Sequence, residues 1–230
     1  MMAAHGIQAE RGIALVVVLL VTTLLSALGL ALTLMTSTER SIAAGYTWSA
    51  ETYYAAEAGL ERTLKEVSLV ADWSDVLGGL AQSRFVDGSP GPRTLGNGAQ
   101  VDLRSETDLL NCGHLACSAD DMTASTNERP WGPDNPVWRL YAHGSIAALG
   151  ASGSIDSRAY VVVWIADDPL ESDGLPLIDG DETTGLNAGK GVLQIRAQAY
   201  GPAGAKRAIE VTIRRTASRI RMLSWRETRR

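Results

Sequence analysis

The rhythm of hydrophobic and polar positions changes twice within the first seventy residues. From Gly12 through Thr38 no charged residue interrupts 27 positions dominated by Leu, Val and Ala. As a helix this run would be roughly 40 Å long, more than the ~30 Å hydrocarbon core of a bilayer. Thr22, Thr23, Ser26 and Thr33 do not disqualify a span, because each hydroxyl can bond back to the preceding helical turn. Gly29 is its weakest position. The pattern predicts a membrane helix from about Ile13 to Met35, with the transmembrane part ending near residue 36.

The chain then becomes amphipathic without a break. Tyr46, Ala50, Tyr53, Glu57, Leu60, Leu64 and Val67 recur at alternating steps of four and three, one face of a helix. Glu61–Lys65 and Arg62–Glu66 add i,i+4 pairs on the polar side, each worth about 0.2–0.5 kcal/mol. One long helix over 13–67 is predicted, with this row packed on the rest of the protein. Glu57 is the odd member of the row. It is either a carboxylate paired with an Arg or an amide, or one at the edge of the stripe that reaches water. Ala55, Ala56, Ala58 and Gly59 beside it allow a close approach by the chain's own sheet.

Residues 68–98 are rich in Gly, Pro and Ser and read as a linker or loop. A β-rich domain is expected over 99–230. Its first strand is "AQVDLRS", followed by a polar stretch. Next, "RLYAHG" and "SRAYVVVWI" form one strand pair, and "VLQIRAQAYG" and "RAIEVTIRR" repeat the arrangement as a compact hairpin. The fold class is therefore α+β, a long N-terminal helix packed on an antiparallel sheet.

Three fates are open for the apolar run on its residues alone. A signal peptide could be cut near "SALGLA", where Ala27 and Gly29 are small. A plain anchor would stay uncut. The third is a cut at the leading edge, after Arg11–Gly12. Here the sequence resembles a known family. The Arg11–Gly12 junction, the aliphatic helix, "TSTERSIAAG" and "AETYYAAEAGLERTL" are similar to the PilX family of type IV minor pilins, over residues 10 to about 66.

That resemblance implies a leader of residues 1–12, cut by a prepilin peptidase between Gly12 and Ile13, with methylation of the new amine. It implies a single-pass protein of the bacterial inner membrane whose C-terminal domain lies in the periplasm and later at the pilus tip. Other minor pilins, the major pilin and a tip adhesin are the implied partners. Most pilins carry a Glu at the fifth residue of the mature chain, where it neutralises a neighbouring subunit's N-terminal amine. Here that residue is Val17. A subunit without the carboxylate cannot offer this pairing to a subunit above it, so Val17 points to a place at or near the tip, in a priming role. The tip pseudopilin of a type II secretion system also lacks the Glu, though it usually carries a larger inserted domain. A membrane-anchored periplasmic adhesion or binding protein is the other alternative.

Composition narrows the chemistry. Hydrophobic residues at 45% and charged residues at 20% argue against a disordered body. A net charge of −5 gives no reason to expect nucleic acid. Cys112 and Cys117 are expected to be oxidised to each other if the body lies outside the cytoplasm. With His114 they fall short of a structural zinc set. The stretch from 167 to 182 lacks a basic residue, and calcium is the one metal its oxygens could suit, though no complete twelve-residue loop is present. No other cofactor is expected. The C-terminal "RRTASRIRMLSWRETRR" is strongly basic and reads as a solvated end or a docking arm. "GASGS" misses the nucleophile elbow and "GLNAGKG" misses the phosphate loop, so no enzyme is expected.

Overall fold

The computed structural model describes residues 6–149, 155–171, 173–180, 189–216 and 219–228. The first five residues of the expected leader, the "GASGS" stretch beyond Leu149, and positions 172, 181 and 182 of the acidic loop lie outside them. Helix α1 runs Gly6–Ser68. The chain divides between Tyr46 and Thr47 into two compact units, which are described in turn.

In the first unit the apolar side chains of α1 from Ile13 to Met35 are all about half exposed or more. The hydroxyls are satisfied within the helix: Thr22 donates to Val18 O at 2.9 Å, Ser26 to Thr22 O at 2.8 Å and Thr33 to Gly29 O at 2.8 Å. Hydrocarbon offers no other acceptor, so such internal bonding is what a span requires.

The second unit is built on a five-stranded antiparallel sheet of β3 (Arg139–Ser145), β4 (Tyr160–Asp167), β5 (Val192–Tyr200), β6 (Lys206–Arg215) and β7 (Ile220–Thr228), in that order. Before it come α2 (Ser74–Leu77), the short pair β1 (Pro92–Thr94) and β2 (Gln100–Asp102), α3 (Leu103–Cys112) and α4 (Ala119–Thr123). Every residue of β4 is buried, which is why "YVVVWIAD" reads as a continuous apolar run instead of alternating. One face of the sheet packs on the end of α1 through Val161, Val163, Ile195, Val211 and their neighbours. The other carries Tyr160, Val162 and Trp164, covered by Leu103 of α3 and by Leu95 and Val101. The unit therefore has two cores, one on each side of the sheet.

Three segments differ from the sequence reading. The expected strand "AQVDLRS" is divided: β2 ends at Asp102, whose side chain accepts from the backbone N–H of Arg104 and Ser105 and caps α3. The expected linker over 68–98 contains α2 and β1, and it buries Trp73, Leu77 and Phe85. The basic C-terminal stretch supplies β7, hydrogen-bonded along β6, so the sheet has five strands where four were expected.

Candidate functional site

The candidate functional element is α1 together with the sheet that holds its second half. The seat is built from small side chains. Thr52, Ala55, Ala56, Gly59, Leu60, Thr63 and Val67 are buried. A Cβ added at Gly59 would lie 2.4 Å from Val161 Cγ1, so glycine sets how near the helix comes to β4. A Cβ at Gly201 would clash with Thr52 Oγ1 in the same way. The two buried threonines cost little, because Thr52 donates to Trp48 O at 2.6 Å and Thr63 to Gly59 O at 2.9 Å.

Polar clamps fix both ends of this seated stretch. Arg207 of β6 donates to Ser49 Oγ from Nε at 2.9 Å and from Nη2, while Ser157 donates to Glu51 at 2.6 Å. At the C-terminal end, Trp73 Nε1 donates to Val67 O at 3.0 Å. Arg215 lies 4.2 Å from the Trp73 ring centre and donates to Val70 O and Ala71 O just past the helix. The guanidinium thus satisfies two backbone carbonyls of the segment that leaves the helix.

The predicted packing row and the seated row overlap but are turned relative to each other. Leu60 and Val67 are fully buried, Tyr53 and Leu64 partly so, and Ala50 and Glu57 are half-buried. Tyr46 is 78% exposed. The centre of the seat is instead Thr52, Ala56, Gly59 and Thr63. Large apolar residues drew the eye to one face, while close approach is made by the small ones beside it. Ala55, Ala56 and Gly59, flagged for close approach, lie in the seat, and Ala58 faces away.

Gly12 and Ile13 both lie within α1, and Val17 is 51% exposed. Cys112 and Cys117 are joined as a disulfide at the end of α3. His143 is buried on β3, its Nδ1 2.8 Å from Asp87 Oδ1 and 3.3 Å from the Tyr160 hydroxyl. Burial lowers its pKa, and this outweighs the raising effect of Asp87. With Arg93 on the same carboxylate at 2.9 Å, the group pins the segment near residue 87 to β3.

Asp167 and Glu171 belong to the acidic 167–182 stretch singled out for calcium, but sequence reasoning did not foresee that both are buried. Asp167 is pushed up to about 8 by burial, which outweighs the lowering backbone hydrogen bond from Asp168 and is reinforced by neighbouring carboxylates; Glu171 is pushed up to about 7 by burial first and neighbouring carboxylates second. Glu171 is 6% exposed, with neither carboxylate oxygen hydrogen-bonded among the described residues. Among those residues no three His, Cys, Asp or Glu gather so as to hold a metal ion.

Residues 11–61 match the PilX N-terminal family model. No curated protein and no solved structure matches the chain. The matched segment covers the junction at Gly12, the apolar run and most of the seated helix, the same parts whose geometry is described above. The family is one of structural pilins that interact with other components of the pilus. Among the described residues one helix is long and apolar enough to cross a membrane. Over residues 11–61, then, the chain carries a segment similar to the N-terminal helix of the PilX family.

Proposed function

We propose that this protein is a PilX-family minor pilin that sits at or near the tip of a type IV pilus and helps prime its assembly. Prepilin peptidase cuts it between Gly12 and Ile13, leaving Val17 fifth in the mature chain. Before assembly its C-terminal domain lies in the periplasm. Within the filament, the exposed apolar face from Ile13 to Met35 exchanges lipid for the helices of other minor pilins and the major pilin. Van der Waals packing compensates there for lost lipid contact. The sheet domain remains outside the helical bundle for contact with a tip adhesin. Calcium at the 167–182 loop is not required by this reading.

Val17 is the observation that carries the proposal. A protonated N-terminal amine in an apolar bundle needs a partner, since an unpaired buried charge costs several kcal/mol. This chain offers no carboxylate at that position, so it suits the place where no further subunit is added above. The test is to label the protein on sheared pili and image where it lies. A signal confined to one filament end is expected. Signal spread along the shaft would overturn the tip assignment.

A further inference from the structure

The outer face of the sheet bears a cleft of about 400 Å³ with an ionic lining. Its floor is a cross-strand row: Arg196 of β5 stands opposite Glu210 of β6, and Glu210 stands opposite Arg226 of β7. Its wall is the end of α3 with Leu109, Leu110 and the disulfide, joined by the segment carrying Arg129. Arg196 Nη1 donates to Glu210 Oε2 at 3.2 Å, and Arg226 Nη2 donates to Oε1 of the same carboxylate. The Arg226 side chain is otherwise 68% exposed.

Arg129 is held differently. Its Nη2 donates to Pro136 O at 2.8 Å, a neutral acceptor. Its Nη1 is buried without a hydrogen-bond partner among the described residues. Burial lowers its pKa, and no acidic group acts to raise it again. Thr228 Oγ1, in the same lining, is likewise buried without a partner among those residues. Leaving a cationic donor unmet costs more than leaving a neutral one. The lining holds three arginines against Glu128 and Glu210, one positive charge in excess, within a chain whose net charge is −5.

We infer that this cleft receives a carboxylate side chain from an acidic segment of a partner protein. Arg129 Nη1 and the exposed part of Arg226 are its cationic donors, and the Thr228 hydroxyl is a third. The planar fork of a guanidinium matches a carboxylate, and a single negative charge matches the single excess. Leu109 and Leu110 give the methylene stem of a Glu an apolar wall. The cleft falls within the size range of sites that take groups much larger than acetate, which favours a residue with its neighbours over a free small acid. The inference does not depend on where in the filament the chain sits.

The test uses the full-length protein in neutral detergent and a fluorescein-labelled tetraglutamate amide, read by anisotropy. Saturable binding is expected, with a tetraglutamine amide at least about tenfold weaker. Arg129→Gln and Arg226→Gln should each weaken the glutamate peptide by about tenfold, whereas Arg84→Gln, an exposed arginine outside the cleft, should leave it unchanged. Should Arg129→Gln fail to fold by near-UV circular dichroism, the Arg226→Gln result decides, since that side chain is mostly in water. Equal binding of the two peptides, or wild-type affinity in Arg226→Gln, would overturn the inference. So would glutarate competing at the same concentration as the peptide, because the site would then be one for small acids.

Discussion

The two stretches of α1 use apolar residues to opposite ends. From Ile13 to Met35, Leu and Val lie all round the helix, and each remains about half exposed or more. From Thr52 to Val67 the buried residues occupy one side, and most are small. The first stretch is satisfied only by an environment the chain does not supply, a bilayer or a bundle of like helices. The second is satisfied by the chain's own sheet, at a distance that Gly59 sets. Large aliphatics without a preferred face make a helix that can change surroundings, whereas a narrow row of small residues makes one that cannot leave its seat.

Substitutions can separate these two roles. Leu60→Ala removes a fully buried side chain from the seat and should destabilise the sheet unit by about 2–5 kcal/mol. Thermal unfolding would report this, while the membrane-bound fraction should be unchanged. Leu24→Arg should do the reverse, costing about 2.5–3.5 kcal/mol of insertion at mid-helix and moving protein out of the membrane fraction, with sheet unfolding unaffected. If Leu24→Arg melts the sheet unit, the two stretches are not independent.

Smaller changes sharpen the picture. Adding one carbon by Gly59→Ala puts a Cβ 2.4 Å from Val161 Cγ1 and should cost about 1–3 kcal/mol. Gly29→Ala, with open space around it, should stabilise its helix by about 0.5–1 kcal/mol or leave it unchanged. Titration should act on the sheet unit alone. Asp167 is raised to about 8 in the folded chain, so between about pH 4 and 8 the native state binds more protons than the unfolded one. Stability from this group is therefore greatest at the acid end and falls as pH rises through 8, by on the order of 2 kcal/mol once water penetration is allowed for. Unfolding midpoints measured from pH 5 to 8.5 should decline less in Asp167→Asn than in the parent. A steeper decline in the variant would reverse the assignment.

What could be read in the sequence follows from how strongly a pattern repeats. The apolar run, the long helix and strands β3 to β6 were legible because 27 uncharged residues, a sustained four–three spacing and short alternating or continuous apolar runs bounded by Gly-rich turns each have one good structural solution. β7 was not. Its residues are almost all exposed, on both faces, so no alternation marks it, and its arginines suggested a free end. It is held by backbone pairing to β6, by Arg226 on Glu210 and by Ser224 bonding to Thr212 at 2.9 Å. α3 was hidden for a different reason: its cap, Asp102, sits inside what reads as a strand, and the disulfide drew attention to its end. The ionic cleft could not be foreseen, because Arg129 comes from a loop and Arg196 and Arg226 from β5 and β7, all well apart in sequence. The order of the sheet brings Arg196 and Arg226 to one lining, and the segment carrying Arg129 completes it.

The fate of the Gly12–Ile13 bond decides between a pilin and an ordinary membrane-anchored or secreted protein. Mass spectrometry of the mature N-terminus, in cells with and without prepilin peptidase, tests it most directly. A chain beginning at N-methylated Ile13, and found uncut when the peptidase is missing, is predicted. A chain beginning near Leu30, or still beginning at Met1 when the peptidase is present, would contradict it.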